Sequence, residues 1–231
     1  MPLPTPPVPL YELIVPSTNK KIVYRPFLTK EEKILLMALE SQDEKQILLA
    51  IKQTLKNCIQ TKIKIEDLAV FDVEYIFLNV RARSIGETIE LKLTCPDDDE
   101  TRVDVSINID DIKVQKDKNH SSEIKLDDKF IVKMKYPNID SITDTEQSED
   151  AIEVVANCIS QILTEDEVYD CSQVSKKEVV DFVEQLPVKQ FEEIQKFFSN
   201  MPKLQHKVKV KNPNTGVQSD VVIEGLYNFF G

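Results

Sequence analysis

The hydrophobic pattern changes period at Gly86, and that change fixes the class of fold open to the chain. Upstream, Ile47, Ile51, Leu55 and Cys58 recur at i, i+4, i+8 and i+11, which lines one face of a helix. Leu68, Phe71, Tyr75 and Leu78 line another. Downstream the spacing becomes two: Ile89, Leu91 and Leu93 alternate with Glu90, Lys92 and Thr94. Val103, Val105, Ile107 and Ile109 alternate with Asp104, Ser106 and Asn108. Such strands carry one apolar and one wet face, and Cys95-Pro96-Asp97-Asp98-Asp99-Glu100 between them reads as a hairpin tip. Helices and strands arranged in separate runs specify an α+β fold and not a βαβ one.

The expected architecture is helical bundle portions flanking an antiparallel β region, with β-hairpins at both ends. Residues 1–9, with prolines at 2, 4, 6, 7 and 9, form a Pro-rich extended arm of polyproline II character. Residues 10–85 form an N-terminal hairpin, turning at Pro16-Ser17-Thr18-Asn19, and a three-helix region. Thr29 with Glu32 has capping-box spacing and predicts a helix over about 30–40. The second helix begins near Asp43 and the third near Asp67. Residues 86–136 are the antiparallel β region, with further strands over 111–115, 122–126 and 129–136. Residues 137–201 are an acidic helical region, since 137–171 hold ten acidic residues and no Lys or Arg. There Ile152, Val155, Ile159 and Ile162 predict a helix over about 148–163. Ser175 with Glu178 opens another, and Pro187 a third, with Phe191, Ile194 and Phe198 inward. Residues 202–231 are a C-terminal hairpin, closed by Asn212-Pro213-Asn214-Thr215-Gly216, and an aromatic tail.

Composition narrows the chemistry. The 29 Lys and Arg against 40 Asp and Glu leave a formal charge of −11, which argues against nucleic-acid or membrane-surface binding. Only 4 glycines occur, against roughly 16 at average usage. Gly86, Gly216, Gly225 and Gly231 are too scattered for a phosphate-cradling loop. Cys58, Cys95, Cys158 and Cys171 are dispersed, as expected of reduced thiols in a cytosolic chain. Neither a secretory signal nor a run of 18 apolar residues is present, so a soluble, intracellular product is expected.

No catalytic or cofactor motif emerges. His120 lies in a polar loop and His206 enters a strand among lysines; both read as surface imidazoles. Asp97, Asp99 and Asp110 are the carboxylates a metal-dependent hydrolase would use, but an acidic hairpin tip directs its oxygens into water. Cys95-Pro96 and Asn212-Pro213-Asn214-Thr215-Gly216 both have the shape of a CPxCG zinc knuckle, although only one of four sulfurs is there, so no metal is expected. The residues best suited to contact a partner are Pro4, Pro6, Pro7 and Pro9 of the arm, Tyr24, Arg25 and Phe27 where the first hairpin breaks, and Leu226, Phe229 and Phe230 in the tail. Arg and aromatic side chains anchor interfaces, and they also staple chain ends to a core.

The run Pro9-Leu10-Tyr11-Glu12-Leu13-Ile14-Val15-Pro16-Ser17-Thr18, followed by Tyr24-Arg25-Pro26-Phe27-Leu28-Thr29-Lys30-Glu31-Glu32-Lys33, resembles the opening of the T4-like bacteriophage baseplate hub family. Leu91-Lys92-Leu93-Thr94-Cys95-Pro96 and Ile223-Glu224-Gly225-Leu226-Tyr227-Asn228-Phe229-Phe230 resemble it as well. The resemblance implies a non-enzymatic structural subunit of a contractile tail's baseplate hub, or else an assembly factor that helps form the hub and then leaves. It implies other phage hub and tail proteins as partners, with no nucleic acid, membrane or small-molecule substrate, and a place in the virion after synthesis in the host cytoplasm.

Overall fold

The computed structural model describes residues 6–141 and 150–229; the side chains of Leu226 and Tyr227 fall outside the description. The chain forms two compact units, one from residues 1–115 with 203–231 and the other from 116–202. The stretch 86–136 therefore contributes strands to both.

The first unit opens with β1 (Tyr11–Ile14) and β2 (Lys21–Tyr24), antiparallel with Tyr11 opposite Tyr24. Asn19 in their turn is left-handed, at φ 55°, a conformation asparagine tolerates. The turn is held from outside: the Ser17 amide donates to Asp72 Oδ1 at 2.9 Å, and its hydroxyl donates to Asp72 Oδ2. Helices α1 (Thr29–Ser41), α2 (Glu44–Cys58) and α3 (Val70–Ile85) follow. Asp43 caps α2, as its spacing predicts, by accepting from the Lys45 and Gln46 amides. The start of α1 differs from expectation. Its N-cap is Leu28, which has no side-chain acceptor, and Glu31, not Glu32, reaches back to the Leu28 amide at 2.8 Å. Helix α3 starts at Val70, after a 3-10 turn at Ile65–Asp67, and stops before Gly86, whose φ of +130° ends it. Phe71, Val73, Ile76, Phe77, Leu78 and Val80 of α3 are all buried, so the helix is apolar around most of its circumference and forms the unit's core. Each large side chain so enclosed stabilises the fold by about 1.5–3 kcal/mol.

The expected middle hairpin is present as β3 (Thr88–Thr94) and β4 (Arg102–Asn108), with Leu91 opposite Val105. A 3-10 turn (Ile109–Asp111) leads to β5 (Lys113–Gln115). That strand pairs with the C-terminal hairpin of β10 (Lys203–Lys211) and β11 (Gln218–Glu224), in the order β11-β10-β5, with Gln115 opposite Lys203.

The second unit is a four-stranded antiparallel sheet, β6 (Glu123–Lys125), β7 (Ile131–Met134), β8 (Ile159–Leu163) and β9 (Val168–Asp170) in that order, with α4 (Ala151–Cys158), α5 (Lys176–Glu184) and α6 (Val188–Asn200). Ser175 and Glu178 form the predicted capping box, and Pro187 precedes α6. The helix expected over 148–163 is shorter: residues 148 and 149 lie outside the described residues, and α4 ends at Cys158, where Ile159 turns extended (φ −79°, ψ 126°) and pairs with Met134. Ile159 and Ile162 satisfy helical and strand spacing alike, and the free edge of β7 decides for the strand. The core joins Val132, Met134, Val155, Val183, Ile194 and Phe197. Of the α6 positions, Ile194 is buried as expected, and Phe197 is more enclosed than Phe198.

His120 is not a bare surface imidazole. Its Nε2 lies 3.0 Å from the Tyr136 hydroxyl, and its ring packs 5.0 Å from that of Phe197. Burial lowers its pKa, against an opposing pull from Asp117.

Candidate partner-facing surfaces

The arm is open where it is described. Pro6, Pro7 and Pro9 are exposed, and Pro4 lies outside the described residues. Beyond the arm, Leu10, just before the first strand, and Ile14, its last residue, remain 61% and 60% exposed. The root is fixed all the same. The Tyr11 ring packs on Tyr24 with centroids 5.8 Å apart, and the Arg83 guanidinium lies 5.4 Å above it. A pinned tyrosine thus sets the direction in which an unpinned proline segment leaves the unit.

The other residues read from sequence as contacts face inward. Tyr24 and Phe27 are buried, and the Phe27 amide donates to Ser84 Oγ at 2.9 Å. Burial raises the Tyr24 pKa against the opposing Arg83 charge. Arg25 donates to both Glu31 carboxylate oxygens and to the Pro26 carbonyl, with Cys58 Sγ beside it. Burial would push the Glu31 pKa up, but Arg25 and the Leu28 amide outweigh it and hold the group below its usual value. Phe229 is buried too. These four are staples of the first unit. Phe230 lies outside the described residues, as does the side chain of Leu226.

Two apolar grooves were not anticipated. One, of about 650 Å³, runs between α1 and α2, with Ile34, Met37 and Leu49 on its walls and Lys52 and Lys56 at its edge. Its signal in the sequence is Ile34-Leu35-Leu36-Met37, four apolar residues in one helical turn, which no single buried face accommodates. Leu35 and Ala38 go inward, leaving Ile34, Leu36 and Met37 out. The second groove, about 330 Å³ in the other unit, is lined by Phe130, Ile162, Tyr169, Cys171, Val174 and Phe182.

The acidic tip between β3 and β4 is exposed at Asp97, Asp99 and Glu100 as expected, but the carboxylates of Asp97 and Asp98 are also engaged from a second hairpin. Asp97 and Asp98 accept from Asn212 Nδ2 at the tip of the β10–β11 hairpin, and Thr101 and Thr215 hydroxyls complete the set. Among the described residues no three of His, Cys, Asp or Glu converge as metal ligands, so Asp97, Asp99 and Asp110 are not brought together. No helix in the described part is long and apolar enough to cross a membrane.

An α+β protein in two units, with an open apolar groove in each and exposed Leu10 and Ile14 beside the arm, sets the class. The sequence model of a family described as T4 bacteriophage base plate protein matches residues 8–231, and the chain belongs to that family. A structural role in the baseplate and a place on the phage tail accord with that membership. Comparisons with curated proteins and with solved structures returned no match.

Proposed function

We propose that the chain is a non-enzymatic structural subunit of the baseplate hub, made in the host cytoplasm and held in the tail by contacts with neighbouring hub and tail proteins. The observation that supports this reading is the family match over nearly the whole chain, taken with the exposed Pro6, Pro7 and Pro9 leading to a fixed root at Tyr11. Proline-rich backbone is already extended, so it loses little conformational freedom when it lies along a partner's groove. The arm is the contact element, and not the buried Tyr24, Phe27 and Phe229 or the half-buried Arg25, whose side chain is engaged by Glu31.

Removal of residues 2–9 tests this. The truncated chain should melt at nearly the native temperature, since the described part of the arm is exposed, yet fail to enter particles during infection. Unimpaired incorporation would refute the role of the arm. Mass spectrometry of purified particles separates a resident subunit from an assembly factor: peptides of this chain in mature particles support residence, and their absence supports a factor that departs.

A further inference from the structure

The tips at Cys95 and Asn212 share one turn geometry over their first five residues, the Cys95 tip being one residue longer before the chain returns. In each, the first residue's amide donates across the hairpin, Cys95 to the Thr101 carbonyl at 2.7 Å and Asn212 to the Val217 carbonyl at 2.9 Å. In each, its carbonyl accepts from the residue four further on, the Asp99 amide at 3.0 Å and the Gly216 amide at 2.9 Å. That fifth residue is left-handed both times, with φ 56° at Asp99 and 78° at Gly216. The second residue is proline both times, Pro96 and Pro213. Positions one and four are then Cys95 with Asp98, and Asn212 with Thr215. This is the layout of a C-P-x-C-G knuckle, in which residues one and four are thiolate ligands and two knuckles together enclose one tetrahedral Zn²⁺.

The two tips also meet. Asn212 Nδ2 donates to Asp98 Oδ2 at 2.8 Å and lies 3.1 Å from both Asp97 oxygens. The Thr215 hydroxyl donates to Asp97, and Asn214 Nδ2 donates to Thr101 Oγ1 at 2.9 Å. Asn212 and Cys95 are both fully buried. An amide NH₂ has two donors and no negative charge, so between two carboxylates it does by hydrogen bonding what a cation does between thiolates.

We propose that the two tips form a zinc-ribbon clamp that works without metal, in which Asn212 and Thr215, received by Asp97 and Asp98, stand in for the ion. The clamp joins the β3–β4 and β10–β11 hairpins across 115 positions of sequence.

The test restores the missing ligands. The variant Asp98→Cys/Asn212→Cys/Thr215→Cys keeps the native Cys95 and is titrated with Co²⁺, then Zn²⁺. The expected result is one Co²⁺ per chain with the thiolate charge-transfer and visible bands of a tetrahedral site, displaced by one Zn²⁺ and weakened at least tenfold when Cys95→Ser is added. A folded variant that binds no Co²⁺, or binds it with a six-coordinate spectrum, overturns the proposal. The native chain supplies an independent measurement. In urea unfolding, Asp98→Ala and Asn212→Ala should each lower the midpoint, and the double variant should lose less than the sum. Additive losses overturn the clamp, as does a fall in native melting temperature on adding a chelator. If the triple variant stays unfolded with and without Zn²⁺, the native cycle decides.

Discussion

Arg25 Nη2 donates to Glu31 Oε1 at 3.0 Å, and the side chain of Glu31 has no exposed surface while that of Arg25 keeps 14%. The pair joins the break after β2 to the first turn of α1, and the other Glu31 oxygen takes the Leu28 amide at 2.8 Å. One carboxylate thus serves as both ion-pair partner and helix cap. Removing one member of a buried pair leaves the other charge uncompensated. Glu31→Ala should destabilise the chain by about 3–5 kcal/mol in urea unfolding. Glu31→Gln, which keeps an oxygen for the Leu28 amide, should cost less. Equal losses would separate the cap from the pair as the source of stability.

Asp72 is buried in the first turn of α3 and receives both the amide and the hydroxyl of Ser17. Asp72→Ala leaves those donors without the carboxylate and should cost about 1.5–3 kcal/mol, the range for hydrogen bonds to a charged group. Amide exchange should quicken first at Ser17 and in the adjoining turn. Unchanged exchange there would show that the turn holds itself.

Asp98 titrates far below an ordinary carboxylate, chiefly because the Thr101 hydroxyl and then the Thr101 amide and Asn212 stabilise its charged form. Asp97 is lowered as well, first by Thr215 and then by Asn212. A carboxyl whose folded pKa is depressed binds its proton more readily unfolded, so it adds stability above its unfolded pKa of about 3.9. That stability is lost as pH falls through the folded value. Native protein should therefore melt higher than Asp98→Asn at pH 6, and the gap should shrink steadily below pH 4. Parallel melting curves at all pH values would exclude Asp98 as the source.

The four thiols should differ in reactivity. Burial pushes Cys58 and Cys158 up to about 11, and Cys95 is raised and fully buried. Cys171 is raised by burial too, but it alone is partly exposed, at the wall of the Phe130–Phe182 groove. A maleimide at neutral pH should modify Cys171 first and the other three only on unfolding. Intact-mass measurement would then show a single adduct on folded protein and four after denaturant.

Local chemistry made much of this fold legible. Asp43 caps α2 because its side chain reaches amides only two and three residues away, and the Ser175–Glu178 box works over the same short reach. The hairpin 88–108 declares itself by alternation. Where two local readings competed, a distant group chose between them. Glu31 and Glu32 can both reach back at the start of α1, and Glu31 is taken because Arg25 awaits it. Ile159 fits helix or strand, and the edge offered by Met134 selects strand. The pairing of β5 with β10 joins residues too far apart for any local signal. Aromatic residues near irregular backbone look alike whether they face a neighbour or the core, so the sequence suits Tyr24, Phe27 and Phe229 to either role, and the fold buries all three. The repeated proline turn was visible, but its meaning depended on the two tips being brought face to face.

The ladder between β5 and β10 carries one more consequence. Gln115 and Lys203 are opposite one another on antiparallel strands, at the points where the chain leaves the first unit and re-enters it. Everything from 116 to 202 is thus a guest spliced into a host at a single doorway. A two-residue Asn-Gly link has the geometry to close such a pair. Ligating Gln115 to Lys203 through it should yield a miniature host that keeps its own cooperative melt.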